Sequence, residues 1–415
     1  MPQRSIPTSS RLREVRYEIR GALSRRAREL EAEGRQIIRL NIGNPGLFGF
    51  SVPANVRETV AEHLHRSEAY CHQQGLSHAR EAIAAREQSR GVHGAHADKV
   101  FIGNGVSELI DLTLRALLES GDEVLLPSPD YPLWSAATVL NGGVPRYYTC
   151  PAERAHLPDP AEVEALITPR TRALVLINPN NPTGAVYPRE LLQALVRVAE
   201  RHRLVLLCDE IYDGVLYDGA KFEPLAPLAG DVPCITYSGL SKVSLACGYR
   251  VGWISLSGAE ARMGELTAAL DLLAALRLCA NVPTQWAIAP ALAGTDTMSL
   301  LTAPGGRLYE ARHAVIEGVK RSEFLDVVAP NGALYAFPQV RRGAIGNFDD
   351  EAFALELLEN ESVLLVPGTG FNVPSSRHFR LTLLPEPAQI AEVFVRLEHA
   401  LQRCADRAAP ALEVA

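Results

Sequence analysis

The chain has 415 residues, 47% of them hydrophobic, enough to bury a large core and to form two domains or one large domain with a satellite. Its 41 basic and 48 acidic side chains give a net charge of −7 without a long basic run, which argues against nucleic acid and anionic membrane surfaces and leaves a small molecule as the default partner. Seven scattered cysteines with no C-x-x-C argue against a disulfide framework and a zinc site, so no metal is expected. With no apolar targeting core at the start and no apolar stretch of membrane-spanning length, the chain reads as soluble and cytoplasmic.

Residues 1–10 are polar. From 11 to 34, leucines at helical spacing among Arg, Glu and Ala predict a helix, and R-Q-I-I-R-L-N-I-G-N-P-G predicts a strand closed by a turn. Helical patterns at 56–65 and 78–90 flank A-Y-C-H-Q-Q-G. From Lys99 onward, apolar runs ending in Gly, Pro, Asn or Asp (V-F-I-G-N-G, E-V-L-L-P-S-P-D, A-L-V-L-I-N-P, L-V-L-L-C-D-E, C-I-T-Y-S-G, R-V-G-W-I-S-L) alternate with amphipathic helices. One helix is predicted over 106–119, and another opens at Pro188 and turns Leu191, Leu192, Leu195 and Ala199 inward. Runs apolar on both faces predict an α/β fold with a mostly parallel, helix-covered sheet, whose ligands gather at the carboxyl ends of the strands. After a helical region from 259 to about 292, P-G-G at 304–306 introduces a smaller α+β unit.

The chemistry-bearing residues sit where these runs end. In S-G-L-S-K-V-S-L-A-C-G-Y-R-V-G-W, Lys242 lies among small and hydroxyl residues and Arg250 follows just before a strand. That pair suits an aldehyde cofactor carrying a phosphate, pyridoxal 5'-phosphate (PLP), with the lysine in Schiff-base linkage and the guanidinium on the phosphate. Only Lys99, Lys221, Lys242 and Lys320 occur in the chain, so a Schiff-base reading has few candidates. Gly105, Val106 and Ser107 open a helix after a strand, where backbone N–H groups cradle phosphate. Asp209 closes a buried strand, where a carboxylate needs a cation such as a protonated pyridine nitrogen or good hydrogen bonds; a helix cap is the plainer reading. In I-N-P-N-N-P-T-G two prolines fix a tight loop and Asn181 can donate to a phenolate or carboxylate, which Tyr212 could also reach. Tyr131 could stack on a ring, although a core or turn tyrosine is the commoner role. Arg380, inside an apolar strand, wants a bidentate carboxylate, with a structural salt bridge as the alternative.

The order G-N-G-V-S-E-L, P-S-P-D-Y-P-L-W, N-P-N-N-P-T-G, D-E-I-Y, S-K with G-Y-R-V-G-W, and F-R-L-T resembles the class I/II aminotransferases of PLP fold type I, within them the bacterial alanine (glutamate-pyruvate) type. The resemblance covers nearly the whole chain. It implies Lys242 as the Schiff-base lysine, Asp209 on the pyridine nitrogen, Asn181 and Tyr212 near the phenolate, and Tyr131 as the stacking ring. Gly105, Val106, Ser107 and Arg250 would hold the cofactor's phosphate, Ser241 would be a further cofactor contact, and Arg380 and the Gly43 N–H would hold the substrate carboxylate. Tyr70 would reach the neighbouring subunit's cofactor, which implies a homodimer with shared active sites. Tyr17 could confine a small side chain together with Tyr131, and Arg20 could meet a second carboxylate. The implied division is an N-terminal arm and small-domain segment at 1–54, a large PLP-binding domain at 55–303 and a small domain at 304–415.

The implied reaction is a ping-pong transfer of an amino group between an L-amino acid, alanine or glutamate, and a 2-oxo acid, pyruvate or 2-oxoglutarate. Two departures bear on it: Gly239 replaces a serine common in relatives, leaving Ser238 or Ser241 to supply a hydroxyl, and Val243, Ser244 and Leu245 replace a polar, cationic patch, which could alter the substrate pocket. The rival outcomes are elimination or replacement on the same scaffold, or a non-catalytic PLP-fold regulator, for which neither end of the chain offers a DNA-binding extension.

Overall fold

The computed structural model describes residues 6–294 and 296–408, with Arg20 lacking a described side chain. Seven strands form one sheet in the order Val100–Gly103, Gly252–Ser257, Cys234–Gly239, Val205–Asp209, Thr171–Ile177, Glu123–Ser128 and Val144–Thr149. Gly252–Ser257 runs antiparallel to both its neighbours and the other pairings are parallel. The sheet is thus the mostly parallel one that the unbroken apolar runs require.

Successive side chains on each strand serve opposite faces. Ala173 and Val175 pack with Leu109, Ile110, Trp134 and Leu270 from helices on one side, whereas Leu174 and Leu176 pack with Leu192, Leu195 and Ala199 of the helix Arg189–His202 on the other. Each such fully buried Leu or Val contributes about 2 kcal/mol. The carboxyl ends of the central strands are therefore rigidly held, and the polar residues that close them inherit that rigidity.

The C-terminal body has its own core. Helices Arg307–Arg321, Asp350–Glu361 and Pro387–Ala408 pack around a small antiparallel sheet in which Phe379–Thr382 lies between Tyr335–Ala336 and Val366–Pro367. The N-terminal strand Ile38–Arg39 pairs in parallel with Val363–Leu364, and Leu40 and Phe50 join the same core. Asn331 and Gly332 donate their N–H groups to the Gly184 carbonyl, at 3.0 and 2.8 Å, so this body abuts the N-P-N-N-P-T-G loop.

One expectation is corrected and one strand is added. The helix expected over 11–34 is confined to Ala22–Ala32, preceded by short 3-10 turns at Ser10–Arg13 and Glu18–Arg20, because Gly21 leaves helical geometry and caps the helix. The edge strand Val144–Thr149 went unread, since its exposed alternating pattern V-P-R-Y-Y-T lacks the apolar run of its inner neighbours. No helix among the described residues is long and apolar enough to cross a membrane.

Candidate active site

A cavity of about 530 Å³ opens where the central strands end and the C-terminal body begins. It collects Tyr17, Gly43, Val106, Ser107, Tyr131, Asn181, Asp209, Tyr212, Ser241, Lys242, Arg250 and Arg380, residues scattered over most of the sequence. Gly105 lies directly behind, and Tyr70 stands apart with 78% of its surface exposed. The side chain of Arg20 lies outside the described residues.

Local geometry explains each placement. Gly105, at φ 87°, turns the chain from the strand Val100–Gly103 into the helix Val106–Leu117, and a Cβ there would stand 2.3 Å from Arg250 Nη2. Arg250 itself adopts a left-handed backbone (φ 53°), rare for a non-glycine residue, and is held by hydrogen bonds to the carbonyls of Cys247 (3.0 Å) and Asn104 (3.2 Å). The helix N-terminus, Ser107 and the Arg250 guanidinium so converge on one spot with the chemistry of a phosphate cradle.

Asp209 ends its strand beside Ile177 and Tyr237 and is buried. Its carboxylate accepts from the Trp134 indole N–H and the Ile211 amide, both at 3.3 Å, and burial, only partly offset by these bonds and by Lys242, raises its pKa to about 6. A buried carboxylate with two long hydrogen bonds, paired in no salt bridge among the described residues, fits a ligand that brings a positive charge. The turn after it is anchored from behind, where Arg86 and Arg90 both donate to the buried Asp213 and Arg90 also to Glu210.

Lys242 follows the strand Cys234–Gly239 in a turn whose Leu245 has φ 58°. Its amine donates to the Gly43 carbonyl at 2.7 Å and lies 3.7 Å from Cys247 Sγ, which in turn donates to the Ser241 carbonyl at 2.9 Å. Glycine at 239 has a steric cause, since a Cβ would stand 2.7 Å from the Val251 carbonyl oxygen. Of the two serines open for a hydroxyl role, Ser241 lines the main cavity, while Ser238 lines a separate hollow of about 180 Å³ with Val243 and Ser244. Leu245 is buried in the core of the C-terminal body. None of Val243, Ser244 and Leu245 lines the main cavity.

Asn181 sits in a loop closed by the Thr183 hydroxyl on Asn180 Oδ1 (2.8 Å) and the Tyr187 amide on Asn178 Oδ1 (2.9 Å). Asn181 Oδ1 accepts from Arg380 Nη1 at 2.9 Å, which leaves its amide nitrogen as the free donor. Arg380 is 1% exposed, donates also to the Asn41 carbonyl, and lies over the rings of Tyr335 (4.2 Å) and Phe371 (4.8 Å). Its side-chain partners among the described residues are an amide and a carbonyl oxygen rather than a carboxylate, and its Nε has no partner. A buried guanidinium in this state fits an incoming carboxylate.

Sequence reasoning passed over three members. Trp134 stands in P-S-P-D-Y-P-L-W, but its partner Asp209 is 75 positions away and only the fold joins them. Tyr335, whose hydroxyl meets that of Tyr212 at 3.1 Å, looked like an ordinary strand residue in G-A-L-Y-A-F-P. Cys247 was counted only among scattered thiols. All three are aromatic or small apolar types with no polar pattern to mark them.

The donor set fits PLP: a lysine for the aldehyde, a buried carboxylate for the ring nitrogen and a cationic helix start for the phosphate. Comparison with known proteins agrees. The family model for aminotransferase class I and II matches residues 35–397. The alanine aminotransferase of Mycobacterium tuberculosis is 46% identical over 396 residues, 95% of this chain and 92% of that protein. The glutamate-pyruvate aminotransferase AlaA of Escherichia coli is 46% identical over 380 residues, 92% and 94% respectively. The crystal structure of an aminotransferase from Escherichia coli superposes with a TM-score of 0.95 at 44% identity, covering 97% of this chain and all of that one. By sequence, fold and site together, the chain belongs to the PLP-dependent class I and II aminotransferases.

Proposed function

We propose that this aminotransferase moves an amino group between L-alanine or L-glutamate and pyruvate or 2-oxoglutarate, one substrate entering after the other's product has left. The observation that carries the reading is the buried, carboxylate-free Arg380 facing a small cavity, a ready partner for the α-carboxylate common to all four molecules. The names of the relatives from Mycobacterium tuberculosis and Escherichia coli point to the same pair.

PLP, when bound, supplies the aldehyde that takes up the amino group and the ring that disperses the carbanion's charge. The roles of this chain's residues follow from their positions. Arg380 orients the carboxylate, which sets the Cα–H bond toward Lys242. The Lys242 amine, held over the cavity by the Gly43 carbonyl, is placed to take the α-proton as general base. Asp209 would hold a proton at the pyridine nitrogen, Asn181 and Tyr212 would donate to the phenolate, and Tyr131 would cover the ring face. Val106, Ser107 and Arg250 would hold the phosphate, with Gly105 giving the chain room to pass and Ser241 lining the same cavity.

Tyr17 and Tyr131 wall one side of the cavity, where they would pack on a small side chain such as alanine's, and we assign Arg20 to the second carboxylate of glutamate. Leu272, Leu276 and Leu278, at 61, 74 and 54% exposure, together with Tyr70, support a homodimer in which Tyr70 reaches the partner's cofactor. The shared core of the N-terminal strand and the C-terminal body supports the division at residues 54 and 303. Seven unpaired cysteines fit a reducing cytoplasm. The test is kcat/KM over alanine, glutamate, valine, phenylalanine and arginine, repeated on Arg20→Ala. Alanine and glutamate lead the panel, and Arg20→Ala depresses glutamate selectively; a panel led by another amino acid would refute the assignment.

A further inference from the structure

Asp130 and Asn372 are 242 positions apart in sequence, yet a closed set of hydrogen bonds joins them. Asn372 Nδ2 donates to Asp130 Oδ1 at 2.9 Å and to Ser135 Oγ at 3.0 Å. Ser128 Oγ donates to the Asn372 carbonyl at 2.8 Å, and the Asp130 amide to the Phe371 carbonyl at 3.1 Å. Asp130 is fully buried, and its second oxygen has no partner. Asn372 takes a left-handed backbone (φ 56°), which asparagine tolerates better than most residues.

A buried carboxyl with one oxygen unsatisfied is a costly way to tie two turns together, and an apolar pair would do so at less expense. What distinguishes the place is its neighbours. The residue after Asp130 is Tyr131, which lines the cavity from the sheet side, and the residue before Asn372 is Phe371, whose ring faces the Arg380 guanidinium from the C-terminal body. Tyr131 and Phe371 also share one small apolar cluster with Ile19, Phe337 and Val366. The hydrogen bonds therefore fix the spacing between the wall over the cofactor ring and the anchor for the substrate carboxylate.

We propose that Asp130 and Asn372 are positioning residues for transamination, a clasp that holds Tyr131 in register with the Phe371–Arg380 pair across the two bodies of the molecule. The proposal rests on the reading of Arg380 as the α-carboxylate anchor and of Tyr131 as the ring-stacking residue. Neither clasp residue touches the reactants. Loosening the clasp lets the carboxylate anchor drift relative to the ring wall, which weakens productive binding before it slows proton transfer.

The test uses PLP-loaded enzyme and the variants Asn372→Gly, Asp130→Asn and the exchange Asp130→Asn/Asn372→Asp. Asn372→Gly keeps the left-handed backbone and removes only the amide; if it does not fold, the near-isosteric Asp130→Asn is read in the same assays. Propionate, alanine without its amino group, serves as the carboxylate probe. Asn372→Gly is expected to retain full cofactor content, to raise KM for alanine and the propionate Kd roughly tenfold with a smaller fall in kcat, and to alter the visible circular dichroism of the bound cofactor. The exchange variant, which restores an amide–carboxylate pair in the opposite sense, is expected to recover most of the loss. Parent values of KM, propionate Kd and dichroism in every folded single variant, with only Tm lowered, would overturn the proposal. Arg380→Lys in the same series separates the two readings: if it leaves propionate binding unchanged, the anchor assignment fails whatever the clasp variants do.

Discussion

Arg380 donates to Asn181 Oδ1 at 2.9 Å, and this one contact ties the strand Phe379–Thr382 of the C-terminal body to the loop at the carboxyl end of the sheet strand Thr171–Ile177. It spends the oxygen of Asn181 on the guanidinium and turns the amide nitrogen free. The proposed substrate anchor and the proposed cofactor contact thus share a single side-chain orientation.

Arg380→Lys keeps the charge but loses the planar fork and the stacking between Tyr335 and Phe371. kcat/KM is expected to fall for every amino acid tested, by about thirtyfold, the equivalent of ~2 kcal/mol for a charge-assisted hydrogen bond. Steady-state kinetics check it, and a loss confined to glutamate would place Arg380 at a distal carboxylate instead.

Asp209→Ala removes the acceptor of the Trp134 N–H and the partner expected at the pyridine nitrogen. Cofactor remains bound through Lys242 and the phosphate cradle, while loss of the α-proton slows by a factor on the order of 10²–10³. Single-turnover deprotonation of α-deuterated and unlabelled alanine measures the step; an unchanged rate would separate Asp209 from the electron-sink chemistry.

The same carboxylate makes the cofactor-free protein sensitive to pH. Its folded pKa, raised by burial to about 6, lies above the unfolded value of 3.8, so the stability it confers is whole below about pH 4 and is lost as pH rises through 6. Relative to Asp209→Asn, the cofactor-free parent is expected to lose about 3 kcal/mol between pH 4 and pH 7 and to change little above. Paired urea titrations at several pH values test this, and a difference independent of pH would show that the carboxyl is not desolvated.

Val243→Thr addresses the altered loop. Because Val243 packs against Gly214 and lines the smaller hollow behind the site, kcat/KM for alanine and glutamate is expected to stay at the parent value. A shift in the preference between the two amino acids would mean that the loop reaches the substrate after all.

Much of this architecture is legible in the sequence, for definite reasons. Strands such as A-L-V-L-I and L-V-L-L-C-D announce themselves because they are buried on both faces, and Asp209 and Asn181 stand out as polar residues closing apolar runs. Lys242 is conspicuous because lysine is scarce. Trp134, Tyr335 and the Asp130–Asn372 clasp are silent by the same logic: each acts through a partner distant in sequence, and nothing local marks an indole, a phenol or an amide whose hydrogen bond exists only in the folded chain. The helix Ala22–Ala32 is shorter than its leucine spacing suggests because the chain leaves helical geometry at Gly21, and the edge strand Val144–Thr149 is faint in sequence because its exposed positions break any apolar run.

The central claim, that Lys242 and Arg380 make this chain an alanine-accepting aminotransferase, is tested most directly by one half-reaction. PLP-loaded enzyme is mixed with L-alanine and no oxo acid, and pyruvate released is counted against protein while the visible absorbance of the cofactor is followed. The account predicts one pyruvate per protomer in the parent with loss of the original absorbance band, and none in Lys242→Ala. No pyruvate from the parent, or a full yield in Lys242→Ala, would contradict it.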